Sequence, residues 1–270
     1  MFVTTSLKAD RELVVLAKKV AAELRLPFVP RRGSLEGIKQ EYGSTWAVVV
    51  TREQIFVSTP GGAFFFHPGM AKNRIKALKK GNNDQMVEAM ALAPGDMVLD
   101  CTLGLGADAT VASFAVGPEG KVVGLEKVPV VAFIVAKGMQ EYDEDDPALI
   151  AAMRRVEVIN ADAGEYLRDL PDRSFDVVYF DPMFRQPVHE SAAIKPLRYL
   201  AETEPLTPDL VAEALRVARR RVVVKERRNS PEFARLGITR ISGGKHSSIA
   251  YGILEPEEAE EWRSRVYGRE

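Results

Sequence analysis

The segment Val98–Ala109 reads VLDCTLGLGADA and decides the fold class of this 270-residue chain. It opens with an apolar run that is typical of a buried strand, and this strand is predicted to end at Asp100. Gly104 and Gly106 follow in a short turn, and a helix is predicted to begin near Asp108. Glycine adopts positive φ without strain and lets the backbone pass close to a ligand. This order indicates a ligand-binding loop at the carboxyl edge of a parallel sheet.

The alternation of strands and helices continues after this loop. Strands are predicted at KVVGLE, VEVIN, FDVVYFD and RRVVVKE, and helices at VPVVAFIVAKGMQEY, AGEYLRDL and TPDLVAEALRVA. Such alternation predicts a parallel sheet covered on both faces. LGITRIS and SSIAYGIL are separated only by a turn with Gly243 and Gly244, which predicts an antiparallel hairpin at the sheet edge. The fold class is therefore α/β, with a Rossmann-like sheet that is mostly parallel and an antiparallel final strand.

The first 82 residues follow a different pattern and are predicted to form a small N-terminal α/β domain, with residues 83–270 as the second domain. Asp10–Leu24 has apolar residues at helical spacing, with Asp10 as a suitable N-cap. TWAVVVT and QIFVSTP are predicted strands, Ala71–Lys80 is a predicted short basic helix, and Asp84–Leu92 is a second helix. The basic helix suggests that the N-terminal domain recognises the substrate.

Composition limits the classes of protein that fit. No stretch approaches the roughly 20 uninterrupted apolar residues of a membrane helix, and the N-terminus lacks the pattern of a secretory signal. A cytoplasmic protein is therefore expected. The single cysteine excludes an internal disulfide, and one cysteine with three dispersed histidines predicts no metal site.

The charge is unevenly distributed along the chain. The formal net charge is −1, but Glu141–Asp146 and Glu255–Glu261 hold five acidic residues each. Without these two runs the chain has 37 basic and 28 acidic residues, a balance of +9. Two interpretations stay open: the runs are solvated loops on an ordinary surface, or the remaining body has a basic face that suits nucleic acid.

The residues around the glycine-rich turn favour S-adenosylmethionine (SAM) as the ligand. Gly104–Ala109 also fits the loose G-x-G-x-x-A pattern of dinucleotide sites, and Glu126 at the next strand end suits ribose hydroxyls in either case. Asp100 and Asp108 make the loop acidic, which suits the ammonium and sulfonium of SAM and disfavours a pyrophosphate. Asp162 is placed to hold the adenine amine or to cap the following helix.

The fourth strand of this sheet ends in a candidate reaction centre, FDVVYFDPMF. An exocyclic base amine is a poor nucleophile because its lone pair is delocalised, so a catalyst holds the amine with hydrogen-bond acceptors. Asp181 supplies a carboxylate, the Pro182 carbonyl a second acceptor, and Phe184 a ring that can stack on a base. The alternative is that Asp181 and Pro182 only end the strand while Phe184 packs in the core.

Five segments in order carry a resemblance to a known family: VLDCTLGLGADA, LEKVPVVA, VVYFDPMF, RVVVKE and GGKHS. From Gly95 to Leu254 the chain resembles the RsmJ-type 16S ribosomal RNA guanine-N2 methyltransferases, and more closely an uncharacterised Gram-positive branch of SAM-dependent methyltransferases. DPMF is the most specific segment. The resemblance implies a class I methyltransferase sheet, SAM as cofactor, and the N2 amine of a guanine in small-subunit ribosomal RNA as target. The chain departs from the family pattern at Arg185–Pro187 and across the N-terminal domain.

Loop chemistry and resemblance together predict three sets of site residues. Four residues are expected to hold the target base at the reaction centre: Asp181, Pro182, Met183 and Phe184. Cofactor binding is expected from Asp100, Thr102, Leu103, Gly104, Gly106, Asp108, Glu126, Lys127, Asp162 and Ala163. Phosphate contacts to RNA are expected from Arg185, Lys225, Arg227, Arg228, Lys245 and His246, although a solvated charged face is the alternative.

Other functions remain compatible with the sequence. The glycine pattern with Glu126 also fits an NAD(P)-dependent oxidoreductase, although that function leaves DPMF and the closing hairpin unexplained. The same sheet serves methyltransferases that act on proteins or small molecules. A nucleic-acid binding module without chemistry is disfavoured by the presence of Asp100, Glu126 and Asp181.

Overall fold

The computed structural model describes residues 1–182, 196, 200, 205–245 and 247–268. Its strands are β1 (Phe2–Thr5), β2 (Ala47–Val50), β3 (Ile55–Thr59), β4 (Gly62–Phe64), β5 (Met97–Asp100), β6 (Lys121–Glu126), β7 (Val156–Asn160), β8 (Phe175–Phe180), β9 (Ala218–Arg227), β10 (Arg240–Ser242) and β11 (Ile249–Leu254). Its helices are α1 (Arg11–Glu23), α2 (Leu35–Glu41), α3 (Met70–Lys79), α4 (Gln85–Met90), α5 (Ala107–Val116), α6 (Pro129–Glu141), α7 (Pro147–Arg154), α8 (Ala163–Asp169), α9 (Pro208–Val217), α10 (Glu232–Arg235) and α11 (Ala259–Tyr267).

The larger sheet has the strand order β10-β11-β9-β8-β5-β6-β7. The five strands from β9 to β7 are parallel, whereas β11 runs antiparallel to β9 and β10 antiparallel to β11. The predicted α/β class and the antiparallel hairpin at the edge are therefore confirmed. Because β5 lies between β6 and β8, the loops that follow these three strands meet at one edge of the sheet.

The central strands are buried on both faces, as their nearly continuous apolar sequences predict. Successive residues of β5 point to opposite faces. Val98 belongs to an apolar cluster with Val111 of α5, and Leu99 belongs to a second cluster with Val211 of α9. Both clusters exclude water, so the sheet is a rigid support for the loops at its edge.

The N-terminal residues form a separate four-stranded sheet in the order β1-β2-β3-β4. Strands β1 and β2 are parallel, and the remaining pairs are antiparallel. Val3 and Leu13 share one apolar cluster with Val98, and α3 packs against α5 and α7. The boundary at residue 82 stays a prediction, since this core is continuous between the two sheets. No helix in the described ranges has the length and apolarity to cross a membrane.

The acidic run Glu141–Asp146 lies beside the predicted basic helix, now α3. Lys72 pairs with Glu144, and the Lys79 ammonium lies 3.3 Å from Asp146. Asp146 also caps α7, a helix that the sequence pattern did not predict. Part of the positive charge of α3 is therefore neutralised within the chain, and less of it faces solvent than the basic-face interpretation assumed.

Candidate active site

A cleft of about 1610 Å³ opens at the carboxyl edge of the larger sheet. The predicted site residues that line it are Asp100, Thr102, Leu103, Gly104, Gly106, Asp108, Glu126, Lys127, Asp162, Ala163, Asp181, Pro182 and Lys225. The N-terminal part contributes His67 and Gly69 of the β4–α3 connection and Met70 and Arg74 of α3 to the same wall. Met183, Phe184, Arg185 and His246 lie outside the described residues.

The turn between β5 and α5 has the backbone geometry that its glycines predict. Gly104 and Gly106 have φ of 51° and 73°, a region that residues with a side chain rarely adopt. A Cβ at Gly106 would also collide with the side chain of Met139. Without side chains at these two positions the turn occupies little space, and the N-terminus of α5 faces the cleft.

Asp100 is a buried carboxyl group at the end of β5, with 2% of its surface exposed. In the described part of the chain its hydrogen-bond donors are the N–H and hydroxyl of Thr102, at 3.0 and 3.4 Å, and both are neutral. Burial, with repulsion from Asp108 and Asp181, raises the pKa of Asp100 to about 8. A desolvated carboxyl group with neutral donors at the wall of a cleft suits a cationic ligand.

Glu126 and Asp162 occupy the ends of the next two strands. Glu126 accepts a hydrogen bond from the Val128 N–H at 2.8 Å, and burial raises the pKa of Glu126. Asp162 caps α8 through one oxygen, Oδ1, at 2.9 and 3.1 Å from two N–H groups. Its Oδ2 lies 3.5 Å from the Lys127 ammonium. The capping alternative for Asp162 is thus confirmed, and it uses only one of the two oxygens.

Asp181 follows β8 and is tied directly to the loop after β5. Its backbone N–H donates to Thr102 Oγ1 at 2.5 Å, and its Oδ2 lies 2.7 Å from Lys225 Nζ. Burial raises the pKa of Asp181 to about 6, with Asp108 adding to the rise and Lys225 opposing it. The geometry places a carboxylate acceptor next to the glycine-rich turn, as the strand order predicts.

A chain of partly buried charged groups continues from Asp181 into the N-terminal part. Lys225 Nζ also lies 2.9 Å from Asp108 Oδ2, and the Tyr179 hydroxyl donates to the same oxygen at 2.7 Å. Arg74 pairs with Asp108 and binds Asp84 with two hydrogen bonds of 2.7 and 2.8 Å. Both oxygens of Asp108 therefore have protein donors, which leaves this carboxylate less available to a cofactor than its sequence position suggested.

Sequence reasoning missed Arg74, Asp84, Tyr179 and Tyr251 as components of this site. Arg74 is one of several basic residues in the predicted helix Ala71–Lys80, and Tyr179 stands in an apolar strand sequence, so the sequence singles out neither. Strand alternation offered a signal, because Tyr179 and Asp181 are two residues apart and share a face. Arg74 and Asp84 carried no comparable signal.

The predicted phosphate-binding residues have different surroundings. Lys225 lies inside β9, as the predicted strand RRVVVKE has it, and its side chain points into the cleft. Arg227 is the last residue of the same strand. Arg228 donates to the backbone carbonyls of Ser247, at 2.9 Å, and Gly244, so it holds the hairpin connection in place. Lys245 is exposed. The RNA contacts of these residues stay predictions.

The doubly wound sheet, the glycine-rich turn and the acidic residues at or just after the ends of β5, β6, β7 and β8 are the features of a class I SAM-dependent methyltransferase. The chain belongs to the family described as putative SAM-dependent methyltransferases, whose model matches residues 57–247. The family decides between the two cofactors that the glycine pattern left open: the cofactor is SAM, and the dinucleotide alternative is wrong.

Relatives of the chain extend the comparison over most of its length. An uncharacterized Bacillus subtilis protein, YpiP, is 41% identical over 94% of this chain and 98% of its own. Ribosomal RNA small subunit methyltransferase J of Coxiella burnetii is 28% identical over 89% of this chain and 92% of its own. A solved SAM-dependent methyltransferase from Neisseria gonorrhoeae has a TM-score of 0.61 and 19% identity, covering 95% of this chain and 96% of that one, which shows the shared fold.

Proposed function

We propose that this methyltransferase acts on small-subunit ribosomal RNA and methylates the exocyclic N2 amine of a guanine. The observation that carries the proposal is the Asp181 carboxylate, which lies at the end of β8 and is joined to the loop after β5 through Thr102. The relative in Coxiella burnetii, named as a small-subunit ribosomal RNA methyltransferase, supports RNA as the substrate.

The residues of the cleft fit SAM. We assign Asp100 to the positive charge of the cofactor, because it is a buried carboxyl group whose described donors are neutral. Glu126, at the end of β6, is assigned to the ribose hydroxyls, and the Oδ2 of Asp162 to the adenine amine. When bound, SAM supplies an electrophilic methyl group on its sulfonium.

The chain itself holds and orients the amine. A carboxylate accepts hydrogen bonds through two oxygens with about four lone-pair sites, so Asp181 can bind Lys225 and an amine together. The Pro182 carbonyl is the second acceptor, and proline restricts the backbone at this point. With both N–H groups held, the nitrogen lone pair points away from the acceptors and toward the cofactor. Orientation of this kind lowers the barrier without a strong base.

The N-terminal domain is proposed to recognise RNA beside the reaction centre. His67, Gly69 and Met70 form part of the cleft wall, and the Met70 side chain is exposed. Lys245 is exposed on the hairpin connection, which lines the cleft through Ser247 and Ser248, and we assign it to phosphate. A wall that includes His67 and the exposed Met70 next to the reaction centre suits a base that is flipped out of its stack.

Labelled methyl transfer to RNA tests this function. Total RNA from a strain that lacks this gene is incubated with labelled SAM, with the protein or with its Asp181→Asn variant. We expect label as N2-methylguanine in small-subunit ribosomal RNA with the wild-type protein only. RNA without label from a protein that binds SAM would contradict the proposal and direct the search to proteins and small molecules.

The affinity for SAM is expected to fall as the pH is lowered. Asp100 is protonated below a pKa of about 8 in the ligand-free protein, and a bound cation favours its ionised form. Binding must then release a proton, so Kd should rise by about tenfold from pH 7 to pH 6, a range below the α-amino pKa of about 7.7–8.0. Calorimetry in buffers of different ionisation enthalpy measures both quantities. Asp100→Asn should remove the slope, and a wild-type Kd that is equal at the two pH values would disprove this role.

A further inference from the structure

We propose that Lys225 is a positioning residue for methyl transfer, which bridges Asp108 and Asp181 and keeps the Asp181 carboxylate charged and directed into the cleft. The inference rests on the proposed role of Asp181 as the acceptor for the substrate amine. It gives Lys225 a place inside the reaction centre instead of a contact with RNA phosphate.

The distances support a bridge. The Lys225 ammonium lies 2.7 Å from Asp181 Oδ2 and 2.9 Å from Asp108 Oδ2, so two of its three donors are directed at carboxylates. Its side chain is 19% exposed. A lysine that binds phosphate needs its ammonium at the surface, whereas this ammonium is enclosed between two anions.

Asp108, at one end of the bridge, is held in place by other residues. Asp108 also accepts hydrogen bonds from Tyr179 and Arg74, and Arg74 is held by two further bonds to Asp84 at the start of α4. These partners come from β8, α3 and the α4 cap, which are all packed into the core. Lys225 therefore has a rigid anion on one side, and Asp181 is the partner whose position it sets.

Lys225 also favours the charged form of Asp181, because its ammonium lowers the pKa of that carboxyl group. Among the described residues, the groups that face Asp181 and Lys225 are Asp100 from β5, Asp108 from α5, Tyr179 from β8, Tyr251 from β11 and, beyond Asp108, Arg74 from α3. Burial and the neighbouring Asp108 raise the pKa of Asp181, and Lys225 opposes them. Without the ammonium, the carboxyl group would be protonated at a higher pH.

The charge matters because only the ionised group is purely an acceptor. A protonated carboxyl group carries an O–H donor and binds an amine hydrogen less well. Methyl transfer is therefore expected to fall with the pH as it passes below the pKa of Asp181, which is about 6. Removal of Lys225 should move this acid limb to higher pH.

The test compares Lys225→Met, Lys225→Gln and Lys225→Arg with the wild-type protein. Lys121→Met is the matched control, because Lys121 lies at the opposite end of the parallel strands in a half-exposed pair with Glu157. The first readout is the carbon-13 NMR titration of the Asp181 carboxyl group without ligand, identified by its loss in Asp181→Asn. The second is the pH profile of kcat for methyl transfer. Lys225→Gln keeps a polar group in the cleft if Lys225→Met does not fold.

We expect the neutral variants to raise the pKa of Asp181 by about one to three pH units, the range for the loss of an opposite charge within about 4–6 Å. The acid limb of kcat should move by the same amount, and Lys225→Arg should restore most of it. A titration of Asp181 that is unchanged in both neutral variants would overturn the proposal. So would a loss of SAM binding at every pH with a normal Asp181 titration, since it would place Lys225 in the cofactor site.

The two proposals fail in different ways. If wild-type protein transfers no methyl group to RNA, the proposed substrate is wrong, but the carboxyl titration still decides whether Lys225 controls Asp181. If RNA is methylated and the titration does not respond to residue 225, the substrate stands and the positioning role is excluded.

Discussion

Asp181→Asn is expected to lower kcat for methyl transfer by about 10²–10³-fold, the usual cost of removing one preorganised electrostatic group. The substitution preserves the shape of the side chain, and the amide oxygen can still accept a hydrogen bond from Lys225. It removes the negative charge and replaces one acceptor with an N–H₂ donor, which repels the amine of the substrate. The measurement is single-turnover transfer from labelled SAM, so that product release does not hide the chemical step.

SAM affinity separates this role from a cofactor role. Asp181 is assigned to the target amine and Asp100 to the cofactor, so Kd for SAM should change by less than about threefold in Asp181→Asn. Asp169→Asn is the matched control, because Asp169 is exposed at the end of α8 and surface substitutions are usually close to neutral. Full turnover by Asp181→Asn would mean that the amine is held elsewhere.

The sequence predicted those parts of the site that are set by residues close together along the chain. The turn with Gly104 and Gly106 was evident because glycine is required where φ is positive, and both residues have positive φ. The position of Asp181 next to this turn followed from the order of parallel strands, since β8 pairs with β5. Both features follow from short segments and one general rule about sheets.

The charge chain could not be predicted in the same way. Lys225 and Asp108 are 117 positions apart, and Arg74 and Asp108 are 34 apart. Residues this far apart in the chain meet only in the folded protein, and the Arg74–Asp108 pair depends on how α3 packs against α5. Strand alternation places Lys225 on the same face as Val223, a core residue, and was the one local sign that it points inward.

The same reasoning explains why net charge was a poor guide to the surface. Lys72 and Lys79 of α3 pair with the acidic run before α7, and Arg74 points into the site on another side of the helix. The basic residues of α3 therefore form ion pairs within the chain and also contribute to the reaction centre, so they do not all face solvent. The proposed contacts with RNA therefore depend on residues such as Lys245, which is exposed.

Arg74→Met is expected to lower the free energy of unfolding by about 3–5 kcal/mol at pH 7, the cost of removing one partner from a buried ion pair. Arg74 has 20% of its side chain exposed. Its loss leaves Asp84 without this cation, and Asp108 keeps Lys225 and the Tyr179 hydroxyl among its described partners. Met keeps the helical propensity and most of the volume of the arginine stem. Urea unfolding measures the change, and Lys76→Met on the exposed side of α3 is the control, expected within about 0.5 kcal/mol of wild type.

The pH dependence of this deficit separates charge from packing. Pairing with Arg74 lowers the pKa of Asp84, and the pKa of Asp108 is lowered by Lys225 and Arg74. Carboxyl groups with a lowered folded-state pKa stabilise the protein above their unfolded pKa of about 4, and this stabilisation is lost as the pH falls through the folded-state pKa. In Arg74→Met both groups protonate more easily, so the deficit should narrow as the pH is lowered from 7 toward 4. A deficit that is the same across this range would indicate lost packing. The chain of charged groups from Arg74 to Asp181 would then contribute little to the stability of the site.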